Sequence, residues 1–246
     1  MPLALLRQPA QPLGIHTLGL AALARRGKVF AFEADAANYA VLARNARAMP
    51  PPAAEVEALH LALWDRPGTL VSAGADEPAG RSFVGEVAAV DATETERRLR
   101  AVVSAEAIAG MRLHLRRSEV PALPLDEWAE GEALLRLDLV KLDAEGAEVR
   151  VVRGADRTLR RHRPVLLVGY NPACAATYFG QPADALFREL EGRFEAIHAL
   201  EEDGSLARLA GWEVVREGLD RGKGWEDLGC FPSSSSGHGD SGVSEA

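Results

Sequence analysis

Cysteine is nearly absent from this chain. Cys174 and Cys230 are its two cysteines, with no disulfide framework and no zinc-ligand spacing. That scarcity fits a reducing compartment, so a cytoplasmic location is expected. Long apolar runs are missing too: none approaches the roughly 20 residues of a membrane span. The opening MPLALLRQPAQPLG lacks the apolar core of a secretion signal and is broken by prolines, so no membrane partner is expected. Basic residues are outnumbered, 28 Lys and Arg against 36 Asp and Glu, for a formal net charge of -8. A general nucleic-acid surface would normally be basic, so no nucleic-acid partner is expected. The local cluster of Arg157, Arg160, Arg161 and Arg163 reads as a solvated helix face.

Several chemical signatures are also absent. Within residues 1–231 there is no G-x-S-x-G nucleophile elbow, no P-loop and no G-x-G-x-x-G turn. The last absence weighs against a nicotinamide-dependent oxidoreductase. His16, His60, His114 and His162 show no ligand spacing with cysteine or carboxylates, so no metal site is expected.

What is present is an ordinary globular composition, 47% hydrophobic and 26% charged over 246 residues. That length suits one α/β domain, assigned to residues 1–231. Residues 232–246 are rich in Ser and Gly and nearly free of apolar side chains, so they are expected to be a disordered tail.

Within the domain, Leu13, Thr17, Leu20 and Ala24 form a helical stripe ending at Gly27. Lys28-Val29-Phe30-Ala31-Phe32-Glu33 suits a buried parallel strand. Tyr39, Leu42, Ala43 and Ala46 mark a helix closed by three prolines, and residues 56–63 read as one further strand. Residues 65–118 are punctuated by glycine and are expected to hold short antiparallel strands or a substrate-facing loop. A strand near Val120 precedes a short helix at 124–128. Strands at 139–143 and 164–170 follow, then a helix at 183–191, a strand at 194–199 and a final hairpin. Alternating strands and helices indicate a mostly parallel sheet covered on both faces.

One segment carries the most information: Leu139-Val140-Lys141-Leu142-Asp143-Ala144-Glu145-Gly146-Ala147-Glu148. Its apolar strand ends at Asp143, where an open α/β sheet presents polar groups to a ligand. Gly146 permits a sharp turn or a close approach. Ala147, Val151, Val152, Ala155 and Leu159 then recur at helical spacing, which predicts one helix. These acids would also serve as plain helix caps. A carboxylate at the end of a second strand, as at Glu33, suits a ribose because its oxygens can accept from adjacent hydroxyls. Leu63 and Trp64 can form an apolar wall for an adenine-sized ring, or simply belong to the core.

Taken in order, these strand ends resemble the FkbM family of S-adenosylmethionine-dependent methyltransferases. Val29-Phe30-Ala31-Phe32-Glu33-Ala34-Asp35, with Asn38-Tyr39, Leu42 and Asn45 behind it, resembles the family's second strand and helix. Ala62-Leu63-Trp64-Asp65 with Gly68 resembles its third-strand block, and Leu125-Asp126-Glu127-Trp128 its "LD" element. The segment from Asp138 to Glu148 is similar to its most distinctive motif, continued by Val152, Gly154-Ala155 and Arg163-Pro164.

The resemblance implies a Rossmann-like class I methyltransferase fold, a mostly parallel seven-stranded sheet with one antiparallel strand. It also implies S-adenosylmethionine as cofactor and methyl transfer to an oxygen of a small-molecule or carbohydrate acceptor. By the same resemblance Glu33 holds the cofactor ribose, and Ala62, Leu63 and Trp64 lie beside the adenine. Asp143 would stand near the sulfonium and the acceptor.

Two departures stand out. The first family motif, an acid-and-glycine turn, falls at Gln8-Pro9-Ala10-Gln11-Pro12-Leu13-Gly14, which keeps only Gly14. The strand before it is short or truncated, at best residues 3–6. A second reading follows from this loop: a methyltransferase fold degenerated into a binding module. The other departure is Gly169, where the family commonly has an acid.

Overall fold

The structure is a computed structural model that describes residues 3–7, 15–24, 27–51, 53–75, 82–86, 97, 115–201, 203–219 and 226–233. The expected glycine turn around Gly14 therefore lies outside the described residues, as does the expected tail from residue 234 onward.

Among the described residues the fold is mixed α/β with two sheets. The larger has eight strands in the order β11-β10-β12-β9-β8-β1-β2-β3. In chain order these are β1 (Leu3–Arg7), β2 (Lys28–Glu33), β3 (Glu55–His60), β8 (Leu139–Asp143), β9 (Val165–Tyr170), β10 (Ala196–Leu200), β11 (Leu206–Arg208) and β12 (Glu226–Phe231). β3, β2, β1, β8 and β9 pair in parallel, and β12, β10 and β11 are joined by antiparallel pairings. The sheet is thus one strand wider than the expected seven and has a mixed edge. No separate hairpin follows the strand expected at 194–199: β11 pairs back onto that strand, β10, and β12 slots between β9 and β10.

The second sheet, β4-β7-β5-β6, contains β4 (Ala62–Leu63), β5 (Gly68–Ala75), β6 (Ser82–Glu86) and β7 (Leu115–Leu123). β5 pairs antiparallel with both β6 and β7. The single strand expected over residues 56–63 is therefore divided. β3 ends at His60, opposite Glu33, and after Leu61 the chain enters the other sheet as β4. Period-two alternation gives the second sheet two working faces. Leu70, Val84, Val120 and Ala122 join the main core, while Val71 and Ala73 meet Cys174 and Tyr178.

The helices are α1 (Ile15–Ala24), α2 (Ala36–Arg47), α3 (Leu125–Gly131), α4 (Glu148–Arg153), α5 (Asp156–His162), α6 (Pro172–Phe179), α7 (Ala185–Glu191) and α8 (Trp212–Gly218). Leu20 and Ala21 of α1 pack with Val29 and Leu139 on one side of the large sheet. Residues of opposite parity, Phe30, Phe32, Val140 and Leu142, belong to the main core with α3, α4, α5 and α7. Trp128 of α3 meets the rings of Phe30 and Phe32 edge-on, both at 4.8 Å between centroids. Such contacts add to the area term for burying three aromatic side chains.

The single helix expected after Asp143 is two helices, α4 and α5, with a corner at Gly154 and Ala155. A Cβ at residue 154 would lie 1.9 Å from the Trp64 carbonyl oxygen, so only glycine fits. Asp126 then caps α5 from outside, accepting from the backbone N–H of Arg157 at 3.0 Å and of Thr158 at 2.7 Å.

Candidate functional site at the carboxyl ends of the parallel strands

The strand order reverses between β1 and β8. β1, β2 and β3 step outward on one side, β8 and β9 on the other. Loops diverge at such a switch point and leave a crevice at the carboxyl ends of the strands. Leu6 of β1 pairs with Phe32 on one side and with Leu142 on the other. Glu33 and Asp143, each one residue further along, therefore flank the end of β1.

Glu33 is buried, 3% exposed, and its Oε1 accepts from the Asp35 backbone N–H at 2.8 Å. Asp35 has a different task. It is the N-cap of α2, accepting from the N–H of Ala37 and Asn38 at 3.1 and 3.0 Å. Ser72 Oγ donates to its other oxygen at 3.4 Å, which ties α2 to the second sheet. His60 stacks on Tyr39, and its Nε2 lies 3.2 Å from the Ala34 carbonyl oxygen.

Ala62, Leu63 and Trp64 do come together with the strand ends. They line a cavity of about 30 Å³ with Phe32, Ala34, Leu142 and Ala144. Strand alternation places Glu33 and Asp143 on the other face of the sheet from Phe32 and Leu142. The three expected parts of the site thus share one end of the sheet, but the two carboxylates point away from the apolar cavity. At this volume the cavity has room for about two waters, so an adenine ring enters only if the walls part. Trp64, one of the lining residues, has a buried indole Nε1 with no hydrogen-bond partner among the described residues. The block is anchored from behind by Arg150, whose Nη1 lies 2.6 Å from Asp65 Oδ2 and whose guanidinium stands 5.8 Å from the Trp64 ring centroid.

The loop after Asp143 is tightly held. Glu145 and Gly146 both have positive φ, 48° and 101°. A Cβ at residue 146 would lie 2.8 Å from the Ala175 backbone N, so this turn sits directly against α6. Sequence reasoning missed α6, although Asn171 followed by Pro172 is a cap-and-first-turn signal; Asn171 Oδ1 accepts from Cys174 N–H at 3.0 Å. Glu148 reaches back so that its Oε1 accepts from Ala144 N–H at 2.8 Å. Burial pushes its carboxyl up to about 7, against backbone hydrogen bonds that pull it down, and the nearby Asp143 charge adds to the rise.

Among the described residues no group of three or more His, Cys, Asp or Glu could hold a metal ion. Among them, too, no helix is long and apolar enough to cross a membrane.

Comparison with known proteins adds two findings. A family model described as the methyltransferase FkbM domain matches residues 15–195. The crystal structure of methyltransferase FkbM from Methylobacillus flagellatus KT is similar, with 13% sequence identity and a TM-score of 0.49, over 94% of this chain and 44% of that one. The chain thus spans less than half the length of that protein. No curated protein matches the chain.

Proposed function

This chain belongs to the methyltransferase FkbM domain family, and on that premise we propose that it moves a methyl group from S-adenosylmethionine to an oxygen of a small molecule or sugar. The observation that carries the reading is the meeting of the ends of β2, β4 and β8 around one apolar cavity, with two strand-terminal carboxylates at the same end of the sheet on its other face. The strand order supports a Rossmann-like class I sheet running from β3 to β10, with β12 antiparallel inside it and β11 added at the edge. The buried cysteines Cys174 and Cys230 are in keeping with a reducing, cytoplasmic setting.

The donor chemistry of the residues fits the cofactor. Glu33 offers a buried carboxylate, already oriented by Asp35, to a pair of ribose hydroxyls. Ala62, Leu63 and Trp64 offer apolar surface to a ring, and the unpartnered Trp64 N–H offers a donor to a ring nitrogen. When bound, S-adenosylmethionine supplies an electrophilic methyl on a sulfonium. The protein's part is alignment, which provides much of the acceleration in such displacements. Asp143 orients the acceptor hydroxyl and takes its proton as charge leaves the oxygen. Glu148 and Gly146 hold the loop that fixes Asp143.

Equilibrium dialysis with labelled S-adenosylmethionine tests the ribose assignment. Glu33→Ala should weaken binding by roughly ten-fold or more, the loss of a charge-assisted hydrogen bond. Wild-type affinity in that variant would refute the role. The second reading, a binding module without transfer, is favoured by the segment from Gln8 to Gly14, which has lost the acid of the first motif. Under that reading the double change Gln8→Asp and Ala10→Gly restores cofactor binding to a chain that lacks it.

A further inference from the structure

The basic run of α5 is not uniformly a solvated face. Arg157, Thr158, Arg161 and His162 recur at spacings that share one side of a helix, and they line a cavity of about 280 Å³ between α5 and α3. That is several times the volume at the strand ends, and close to the roughly 300 Å³ at which small-molecule sites begin. His162 ends α5 and leads through Arg163 and Pro164 into β9. The cavity therefore lies toward the amino end of β9, away from Asp143.

The charges along this cavity are unevenly matched. Asp126 accepts from the backbone N–H of Arg157 and Thr158 and faces the Arg157 guanidinium at 3.6 Å. The same guanidinium reaches Glu130 at 3.4 Å, so both acids of the cavity are engaged. Arg161 has no acid partner among the described residues, whereas Arg160, its neighbour on the helix, pairs with Asp156. Burial and the Arg161 charge push the His162 imidazole below its ordinary pKa, so the ring is neutral at neutral pH. Ala129 and Leu134 add apolar surface to the same space. A cation in a last helical turn is favoured by the helix dipole with or without a ligand. The dipole does not account for an apolar-walled cavity beside that cation.

We propose that the cavity between α3 and α5 binds a small organic anion, its carboxylate on Arg161 and His162 and its apolar body over Ala129 and Leu134. The guanidinium donates to the carboxylate in a charge-assisted hydrogen bond. The neutral imidazole donates from whichever ring nitrogen carries its proton. Because Arg157 and the start of α5 already engage Asp126 and Glu130, the anion meets no unopposed acid from the walls. This site is independent of the methyltransferase reading and separate from the crevice at the strand ends.

The test titrates the full chain with naphthoate and with the neutral naphthamide, and follows the His162 imidazole and the backbone amides by NMR. Naphthoate should shift the His162 signals saturably and raise the midpoint of its pH titration, because the bound carboxylate offsets the Arg161 charge. Naphthamide should bind at least roughly ten-fold more weakly, the worth of one hydrogen bond to a charged group. Arg161→Gln should weaken naphthoate by a similar factor. Arg160→Gln, the same change of charge on the same helix, should leave its affinity unaltered. The amide spectrum reports that both variants are folded. A wild type without a saturable shift at millimolar naphthoate, or an unmoved His162 midpoint, overturns the proposal. Equal binding of the amide, or equal losses in the two arginine variants, overturns it as well.

Discussion

Glu148 is where a single residue's chemistry is most exposed to measurement. It is 4% exposed, and burial holds its carboxyl at about 7 instead of the ordinary 4.5. The folded state therefore binds its proton more tightly than the unfolded state does. Between these two values the folded chain carries more protons, so stability must fall as pH rises through that window and level off above it. The integrated loss is on the order of 3 kcal/mol. Urea unfolding at pH 5 and pH 8 should show this decline in the wild type. Glu148→Gln keeps an acceptor for Ala144 N–H but has no proton to lose, so its decline should be smaller by about that amount. Equal declines in both proteins would contradict the account. From the sequence Glu148 is one acid among several in a helix start. Its special state comes from what α4 is buried against, which no local pattern encodes.

At the scale of elements, the corner between α4 and α5 joins the two best-marked stretches of sequence. Gly154 lets the Trp64 carbonyl approach, and Asp126 of α3 caps α5. Gly154→Ala forces backbone against a methyl group and should cost about 1–3 kcal/mol or more. Asp126→Ala should cost about 1 kcal/mol through the lost cap. Thermal unfolding checks both, and a Gly154→Ala variant of wild-type stability would show that the corner is not tightly packed. The strands β2, β8 and β9 were legible because each is a short apolar run with a clear stop. The continuous apolar pattern of residues 147–159 hid the corner, since periodicity reports which side is buried and not where the axis bends. Residues 56–63 misled for a similar reason: apolar character persists across Leu61, where the chain changes sheets. α6 was missed despite its Asn-Pro start, because Ala and Cys give it little periodic contrast.

At the scale of the molecule, the proposed function depends on the switch point between β1 and β8. Glu33, Asp143 and the Ala62–Leu63–Trp64 block were recognisable as strand ends, and they do gather at one end of the architecture. Their facing was not recognisable, since it depends on register: both carboxylates look away from the apolar cavity. Nor was the cavity between α3 and α5, whose walls come from helices set apart in the sequence. If the crevice is a cofactor site, saturating ligand must stabilise the whole fold, by about 2.7 kcal/mol at a hundred times its dissociation constant. A rise in melting temperature with S-adenosylhomocysteine should follow, and it should be smaller at equal ligand in Glu33→Ala. The most direct measurement is calorimetric titration of the wild-type chain with S-adenosylmethionine. The account predicts saturable one-to-one binding, and no heat of binding at millimolar cofactor would contradict it.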